Sequence, residues 1–318
     1  MLEAARNSLS NFANDPKVQE WVVRRLPNEY VEYLLLENRY WVLEQRAPGK
    51  YTDLHTTLHI LSNFNPLTRA YIGPVSGHGS FPAALPSYTL GRWNDDVADG
   101  HERLPTGYSS YVDLVQAQKE IIKTRGRNVI KGLTIEFLLK RVVAKLERVQ
   151  KQSDNIRDDL TVFLDAMQTE YLRRVNKTVS TQQELSNLYA NSFGKPHNIM
   201  LIALSSSARE EQIPELSQIL GRMFNSETAS LNEDFPRGIC YIPSEVLSTS
   251  GLGLEELMLN PALVETNPTI QEWRKGEIHD CSRLYAALSE KAGALDWKAR
   301  FYIKGLTKKM EPVLINHP

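Results

Sequence analysis

The sequence predicts an all-α protein that forms a single domain over residues 1–318. Helical periodicity dominates, because apolar residues recur at three- and four-residue steps. Long stretches with the alternating pattern of β-strands are hard to find, and no internal repeat or low-complexity tract interrupts the chain. The clearest helical stretches are Leu133–Val149, Leu160–Val175, Gln183–Phe193, Ile213–Phe224 and Ala292–Met310.

Clusters of proline and glycine mark the breaks between these helices. One cluster runs from Tyr71 to Pro86 and a second runs from Pro261 to Pro268. The first cluster lies just before an acidic motif. It is therefore expected to be either a flexible flap near the mouth of a site or a long connection between helices.

Composition narrows the classes of function. Lysine and arginine total 37 against 38 aspartates and glutamates, and the formal net charge is −1. This balance excludes a general attraction to nucleic acid or to an anionic membrane, so any polyanion must be bound locally. We expect a small-molecule substrate and no nucleic acid. The balance makes no prediction of oligomeric state.

Cysteine content, the N-terminal sequence and hydropathy together predict the location of the protein. The two cysteines, Cys240 and Cys281, are too few for a disulfide framework and have no zinc-type spacing. The N-terminus lacks the pattern of a secretory signal, and no stretch approaches the roughly 18 apolar residues of a spanning helix. We therefore expect a cytoplasmic protein without a transmembrane segment, which would reach a lipid substrate by peripheral membrane contact.

An acidic motif carries the main chemical signal. On a helix, Asp95 and Asp99 lie four residues apart on one face with Asp96 beside them, and Arg92 shares that side. Carboxylates at this spacing repel one another unless a cation neutralises them. Hard oxygen ligands favour Mg²⁺, with Mn²⁺ as the alternative, and a metal held there could bridge to a diphosphate. Taken alone, the same pattern also fits the solvated start of a helix.

The flanking residues favour the first interpretation. The motif Tyr88-x-x-x-Arg92-x-x-Asp95-Asp96-x-x-Asp99 resembles the first acidic helix of the squalene/phytoene synthase family. The resemblance extends from about residue 60 to about residue 310. Its other segments are Ser62-Asn63-Phe64, Phe163–Glu170 (with Ala166 and Glu170 where the family has Gly and Asp), Glu184–Gly194, Glu233–Pro243 and Ala299-Arg300-Phe-Tyr302.

The resemblance implies a class I terpenoid synthase helical bundle with a central cavity. It implies a Mg²⁺-dependent prenyltransferase that ionises farnesyl or geranylgeranyl diphosphate, with head-to-head condensation to a squalene- or phytoene-type product as the leading expectation. The implied catalytic residues are Tyr88, Arg92, Asp95 and Asp99, and the implied diphosphate ligands are Arg92 and Arg237. Two residues have simpler alternatives: a half-buried helix aromatic for Tyr88 and a surface ion pair for Arg237.

The second metal motif departs from the family pattern. Counting back from Asp234 places Met223, Ser226, Ala229 and Ser230 where the family has Gln, Asn, Arg and Asp. Ser226, Ser230 and Asp234 still recur every four residues, so they could form one oxygen-bearing face, or the serines could be small polar positions on a packed helix. The expected metal ligands are thus Asp95, Asp96, Asp99, Ser226, Ser230 and Asp234.

This departure leaves two alternatives to head-to-head condensation. One is a divergent prenyltransferase or terpene cyclase that ionises a single prenyl diphosphate. The other is a non-catalytic member of the family that acts as a binding or assembly factor. The altered second motif is the observation that supports both.

Overall fold

A computed structural model shows an all-helical protein. It describes residues 83–316 apart from 128, 130, 131, 133, 228–230, 233 and 309, together with positions 25, 27–29, 31, 32, 35, 36 and 39. No residue in this described part of the chain lies in a β-strand. The all-α prediction is therefore confirmed.

The first half of the described chain forms one bundle. Its helices are α1 (Ala84–Ala98), α2 (Tyr111–Thr124), α3 (Ile135–Val149), α4 (Ile156–Asn176), α5 (Gln182–Tyr189) and α6 (Lys195–Ala203), with a π-helical turn (Ala190–Gly194) joining the last two. Side chains cap several N-termini: Ser110, Thr134 and Asn155 each accept a hydrogen bond from a backbone N–H of the first turn. These caps fix where the helices begin.

The second half adds one long helix and several short ones. They are α7 (Pro214–Ser226), α8 (Ser244–Ser250), α9 (Leu254–Leu259), α10 (Leu263–Thr266), α11 (Pro268–Ala292), α12 (Trp297–Thr307) and α13 (Glu311–Asn316). A 3₁₀ turn, Phe235–Arg237, follows the helical residue Asp234.

Two packing arrangements position the site. Helix α1 packs on α3, α4 and α6, while α2 packs on α3 and α4, and their apolar faces share the main core. Helices α7 and α11 form the most extensive helix pair, with the π-helical turn packed against α7. A smaller core around Leu231, Phe235 and Leu257 holds the segment after α7 in place. The result is that α1 and α4 lie side by side inside the bundle.

The predicted helices agree with the structure except at the C-terminus. The stretch Ala292–Met310 was expected to be one helix, but it comprises the last residue of α11, a turn and helix α12. Asp296 causes the break, because its carboxylate accepts hydrogen bonds from the N–H groups of Lys298 and Ala299 and so starts a new helix.

The expected loops are confirmed only in part. The Pro261–Pro268 break contains the short helix α10, and Pro268 already begins α11. Of the Tyr71–Pro86 loop, residues 84–86 form the first turn of α1 instead, because a proline is tolerated in the first turn of a helix. Residues 71–82 and the Ser62-Asn63-Phe64 segment lie outside the described residues.

Candidate functional site

One line of residues along helix α1 stays partly accessible. Tyr88, Arg92, Asp95 and Asp99 keep part of their surface accessible, and their spacing places them along one line of the helix. Most of the remaining residues of α1 are buried, including those immediately before and after Tyr88 and Asp95. The side chains of Arg92 and Asp95 are 25% and 29% exposed. The partly accessible polar residues of α1 therefore lie along one side of a helix that is otherwise mostly buried.

Arginine side chains form ion pairs with the aspartates at the C-terminal end of α1. Asp96 is 1% exposed and forms ion pairs with Arg39 and with Arg92, whose Nη2 donates to Asp96 Oδ1 over 2.8 Å. Arg92 also pairs with Asp95. Arg39 in turn binds Glu102, with 2.8 Å between Nη1 and Oε1. Asp96 is therefore neutralised by two guanidinium groups in this structure, and it fixes the position of Arg92.

Helix α4 runs beside α1 in the same direction. An added Cβ at Gly91 would lie 3.9 Å from Cζ of Phe163, and one at Gly100 would lie 2.0 Å from Nη1 of Arg174. Phe163 and Arg174 are eleven positions apart and so share one side of α4. Glu170 lies on the same side between them. This register carries Glu170 to the acidic end of α1.

The segment after α7 packs against the C-terminal end of α4. Gly238, at φ +81°, approaches the carbonyl oxygen of Arg174, since an added Cβ would lie 3.0 Å from it. Nη2 of Arg173 donates to the carbonyl oxygen of Cys240 over 2.6 Å, and the Tyr241 hydroxyl donates to Glu170 over 3.2 Å. These contacts place Asp234, four residues before Gly238, near the same carboxylates.

Four carboxylates consequently share one negative region. Burial raises the pKa of Asp99, and the charges of Asp95, Glu170 and Asp234 raise it further. Burial, followed by the charge of Asp95, raises the pKa of Glu170 to about 8, and Asp234 adds to this shift. Three separate segments of the chain supply these groups. Repulsion of this kind is relieved either by protonation or by a bound cation.

The donor set fits a hard divalent cation. Carboxylate oxygens are the ligands that Mg²⁺ and Mn²⁺ prefer, and four carboxylates influence one another electrostatically here. Among the described residues, however, no three His, Cys, Asp or Glu side chains have the arrangement of a metal site. The fit therefore rests on the chemistry and electrostatics of the four carboxylates and not on a preformed coordination shell.

The remaining predicted site residues lie on different segments of the chain. Tyr88 is half-buried at the opposite end of the α1 line from Asp99. Ser226 is buried at the end of α7, where its carbonyl oxygen accepts a hydrogen bond from Nε of Arg274 over 3.0 Å. Arg237 is exposed on the 3₁₀ turn. Ser230 lies outside the described residues.

Several residues of the site were missed in the sequence. Glu170 had a signal, because it lies three residues after Met167 in a segment that resembles a conserved helix of the family, but it was not assigned a role. Arg173 and Arg174 flank the cluster without any motif of their own. Arg39 could not have been found, since 57 residues separate it from Asp96.

Comparisons with known proteins identify no relative: no protein family, no curated protein and no solved structure matches this chain. The family resemblance therefore stays a prediction that rests on the motifs. A separate finding concerns membranes: among the described helices, none combines the length and apolar character needed to cross a bilayer.

Proposed function

We propose that this protein is a Mg²⁺-dependent prenyltransferase that ionises farnesyl or geranylgeranyl diphosphate, with head-to-head condensation as the leading reaction. One observation carries the proposal: Asp95, Asp99, Glu170 and Asp234 come from three segments and lie close enough that the charges of Asp95 and Asp234 raise the pKa of both Asp99 and Glu170. Such a cluster is unfavourable without a cation, so a role in binding one accounts for its presence.

The residues beside the α1 line suit a substrate with a charged head and an apolar tail. The acidic end of the α1 line lies beside Glu170 and Arg174, whereas its first half lies beside Phe163. Phe163 and Met167 are buried in the main core. We therefore propose that the diphosphate binds at the acidic end and that the prenyl chain extends towards Tyr88, on the apolar side of the site.

The chain's own groups have distinct proposed roles. Bound Mg²⁺ would supply the positive charge that stabilises a departing diphosphate. Asp95, Asp99, Glu170 and Asp234 would hold the ion, with Asp96 keeping Arg92 in position to contact a phosphate oxygen. Arg237 is a second proposed diphosphate contact and Arg174 a third. Ser226 and Ser230 remain proposed as weaker ligands.

An activity assay with matched variants tests this proposal. Purified protein would be incubated with radiolabelled farnesyl or geranylgeranyl diphosphate and Mg²⁺, and released diphosphate would be measured. We expect Asp99→Asn and Glu170→Gln to lower release by on the order of 10²-fold or more. Asp165→Asn is the control, because Asp165 is on α4 with a side chain that is 53% exposed. Equal activity of all four proteins would refute the proposed site.

The assay also separates the two kinds of transferase. Products that contain two prenyl groups and form only when both diphosphates are consumed indicate head-to-head condensation. Release from a single prenyl diphosphate, with a cyclic or hydrolysed product, indicates the divergent transferase or cyclase.

A second candidate function is a non-catalytic binding or assembly factor. The observation that favours it is the pairing of Asp95 and Asp96 with Arg92 and of Asp96 with Arg39, which neutralises two of the three motif aspartates without metal. This candidate predicts binding of a non-hydrolysable prenyl thiodiphosphate without turnover of farnesyl diphosphate. Measurable diphosphate release that Asp95→Ala abolishes would exclude it.

A further inference from the structure

The exposed side of helix α12 combines aromatic and basic residues. Trp297 is 58% exposed and Phe301 is 45% exposed, although large apolar side chains normally gain by burial. Arg300, Lys304 and Lys308 are also exposed. At the helical spacing of 100° per residue, all five fall within about 100° of the helix circumference. We call this set the α12 face.

The opposite side of α12 anchors the helix to the protein. Ala299, Tyr302, Ile303 and Thr307 are buried, and the Tyr302 hydroxyl lies 2.8 Å from Nδ1 of His197. The helix is therefore fixed in orientation, and the aromatic side chains of the α12 face are held outward by the fold. Trp297 and Phe301 are one turn apart and adjoin on the surface.

The charge of the α12 face is one-sided. The stretch from Trp297 to Lys308 contains no aspartate or glutamate, whereas the whole chain has a formal net charge of −1. Within the part of the chain that the structure describes, Arg300, Lys304 and Lys308 take part in no ion pair. Positive charge is thus concentrated on this side of helix α12.

We propose that the α12 face is a membrane-docking surface that binds the headgroup region of an anionic lipid bilayer. Aromatic side chains flanked by lysine and arginine on one side of a surface helix insert at the boundary between headgroups and acyl chains, while the cations bind lipid phosphates. The next helix, α13, carries two further exposed aliphatic side chains, Val313 and Ile315. Aliphatic groups suit acyl chains and offer no flat ring to a nucleic-acid base.

A second copy of the chain fits the α12 face less well. A two-fold contact would place the same surface of each copy against the other, so three cations would face three cations. An anionic bilayer instead complements both the charge and the apolar character. This inference is independent of the proposed prenyltransferase activity, since it uses none of the four carboxylates of the proposed site.

Vesicle sedimentation of the full chain tests the inference without metal or prenyl diphosphate. We expect the protein to sediment with vesicles of equal parts phosphatidylcholine and phosphatidylglycerol but not with phosphatidylcholine alone, and to detach as salt increases. Each cation near an anionic surface contributes about fivefold in partitioning. Combining Arg300→Gln with Lys304→Gln should therefore weaken binding about 30-fold. Combining Trp297→Ser with Phe301→Ser should weaken it at least about tenfold.

Control variants remove similar groups elsewhere. Leu259→Ser deletes an apolar side chain that is 87% exposed, and Lys275→Gln deletes an exposed cation on α11. Neither substitution should change sedimentation. Brominated lipids should quench part of the tryptophan fluorescence of the parent, and Trp297→Phe should remove that quenching.

Three results would overturn the proposal. The first is no sedimentation with anionic vesicles. The second is equal binding by the parent and both double variants. The third is conversion of a dimer to a monomer by the aromatic double variant in the absence of lipid, which would make the α12 face a contact between copies.

Discussion

Replacing Glu170 by glutamine should stabilise the metal-free protein. Burial and the neighbouring carboxylates raise the pKa of Glu170 from an ordinary 4.5 to about 8. The folded state then binds a proton that the unfolded state has released, so the unfolding free energy falls as pH rises from about 4.5 to about 8. Glutamine has the same shape and can still accept the hydrogen bond from Tyr241, but it carries no charge.

The size of this stabilisation follows from the shift in the pKa of Glu170. One pKa unit corresponds to about 1.4 kcal/mol, so at pH 7 the carboxyl group destabilises the fold by about 3 kcal/mol relative to a neutral side chain. We therefore expect Glu170→Gln to raise the unfolding free energy by about 3 kcal/mol at pH 7 and to flatten its decrease with pH. Added Mg²⁺ should stabilise the parent but not the variant.

Urea unfolding followed by circular dichroism measures this effect. Midpoints would be recorded from pH 5 to about pH 8.5 in the presence of a chelator, and then again with Mg²⁺. Asp165→Asn, on the solvent side of α4, should leave both curves unchanged. If Glu170→Gln were less stable than the parent at every pH, the cluster would not be electrostatically strained and the reasoning would fail.

Three further predictions concern the residues around the site. Arg39→Met should destabilise the fold by about 3 kcal/mol in urea unfolding, because a buried carboxylate loses one of its partners, whereas Lys119→Met in an exposed ion pair should change stability by less than about 1 kcal/mol. Gly238→Ala should be more destabilising in thermal melts than Gly107→Ala: both glycines have positive φ, but only at Gly238 would the added methyl group crowd a backbone atom, the carbonyl oxygen of Arg174. Burial lowers the pKa of His197 to about 3, so the contribution of this neutral imidazole to stability should be fully present above pH 6.5 and be lost as pH drops towards 3; the difference in unfolding free energy between the parent and His197→Gln should change over that window, and a constant difference would contradict this.

Local sequence signals account for the helices and for the α1 motif. Apolar periodicity is enough to locate α3, α4 and α7, since each buries one face in a core. The break between α11 and α12 was not predicted, because the apolar periodicity continues across it. Asp296 accepts hydrogen bonds from the N–H groups of the next residues and so begins a new helix. At this position the N-cap residue, and not the apolar periodicity, determines where the helix begins.

The candidate site could be predicted only where its residues share a helix. The line from Tyr88 to Asp99 is local and follows from four-residue spacing. The approach of Glu170 depends on the register between α1 and α4, which is set by close packing at Gly91 and Gly100. The pairing of Arg39 with Asp96 joins segments that are distant in sequence, and no spacing rule reaches that far.

Binding of Mn²⁺ tests the central claim most directly. Electron paramagnetic resonance of free Mn²⁺ would be followed as protein is added, with inorganic diphosphate present, for the parent and for Asp99→Asn, Glu170→Gln and Asp165→Asn. We predict that the parent and Asp165→Asn remove Mn²⁺ from solution to the same extent and that Asp99→Asn and Glu170→Gln bind it at least about tenfold more weakly. Equal Mn²⁺ binding by all four proteins, or binding by none, would contradict a cation site formed by these carboxylates.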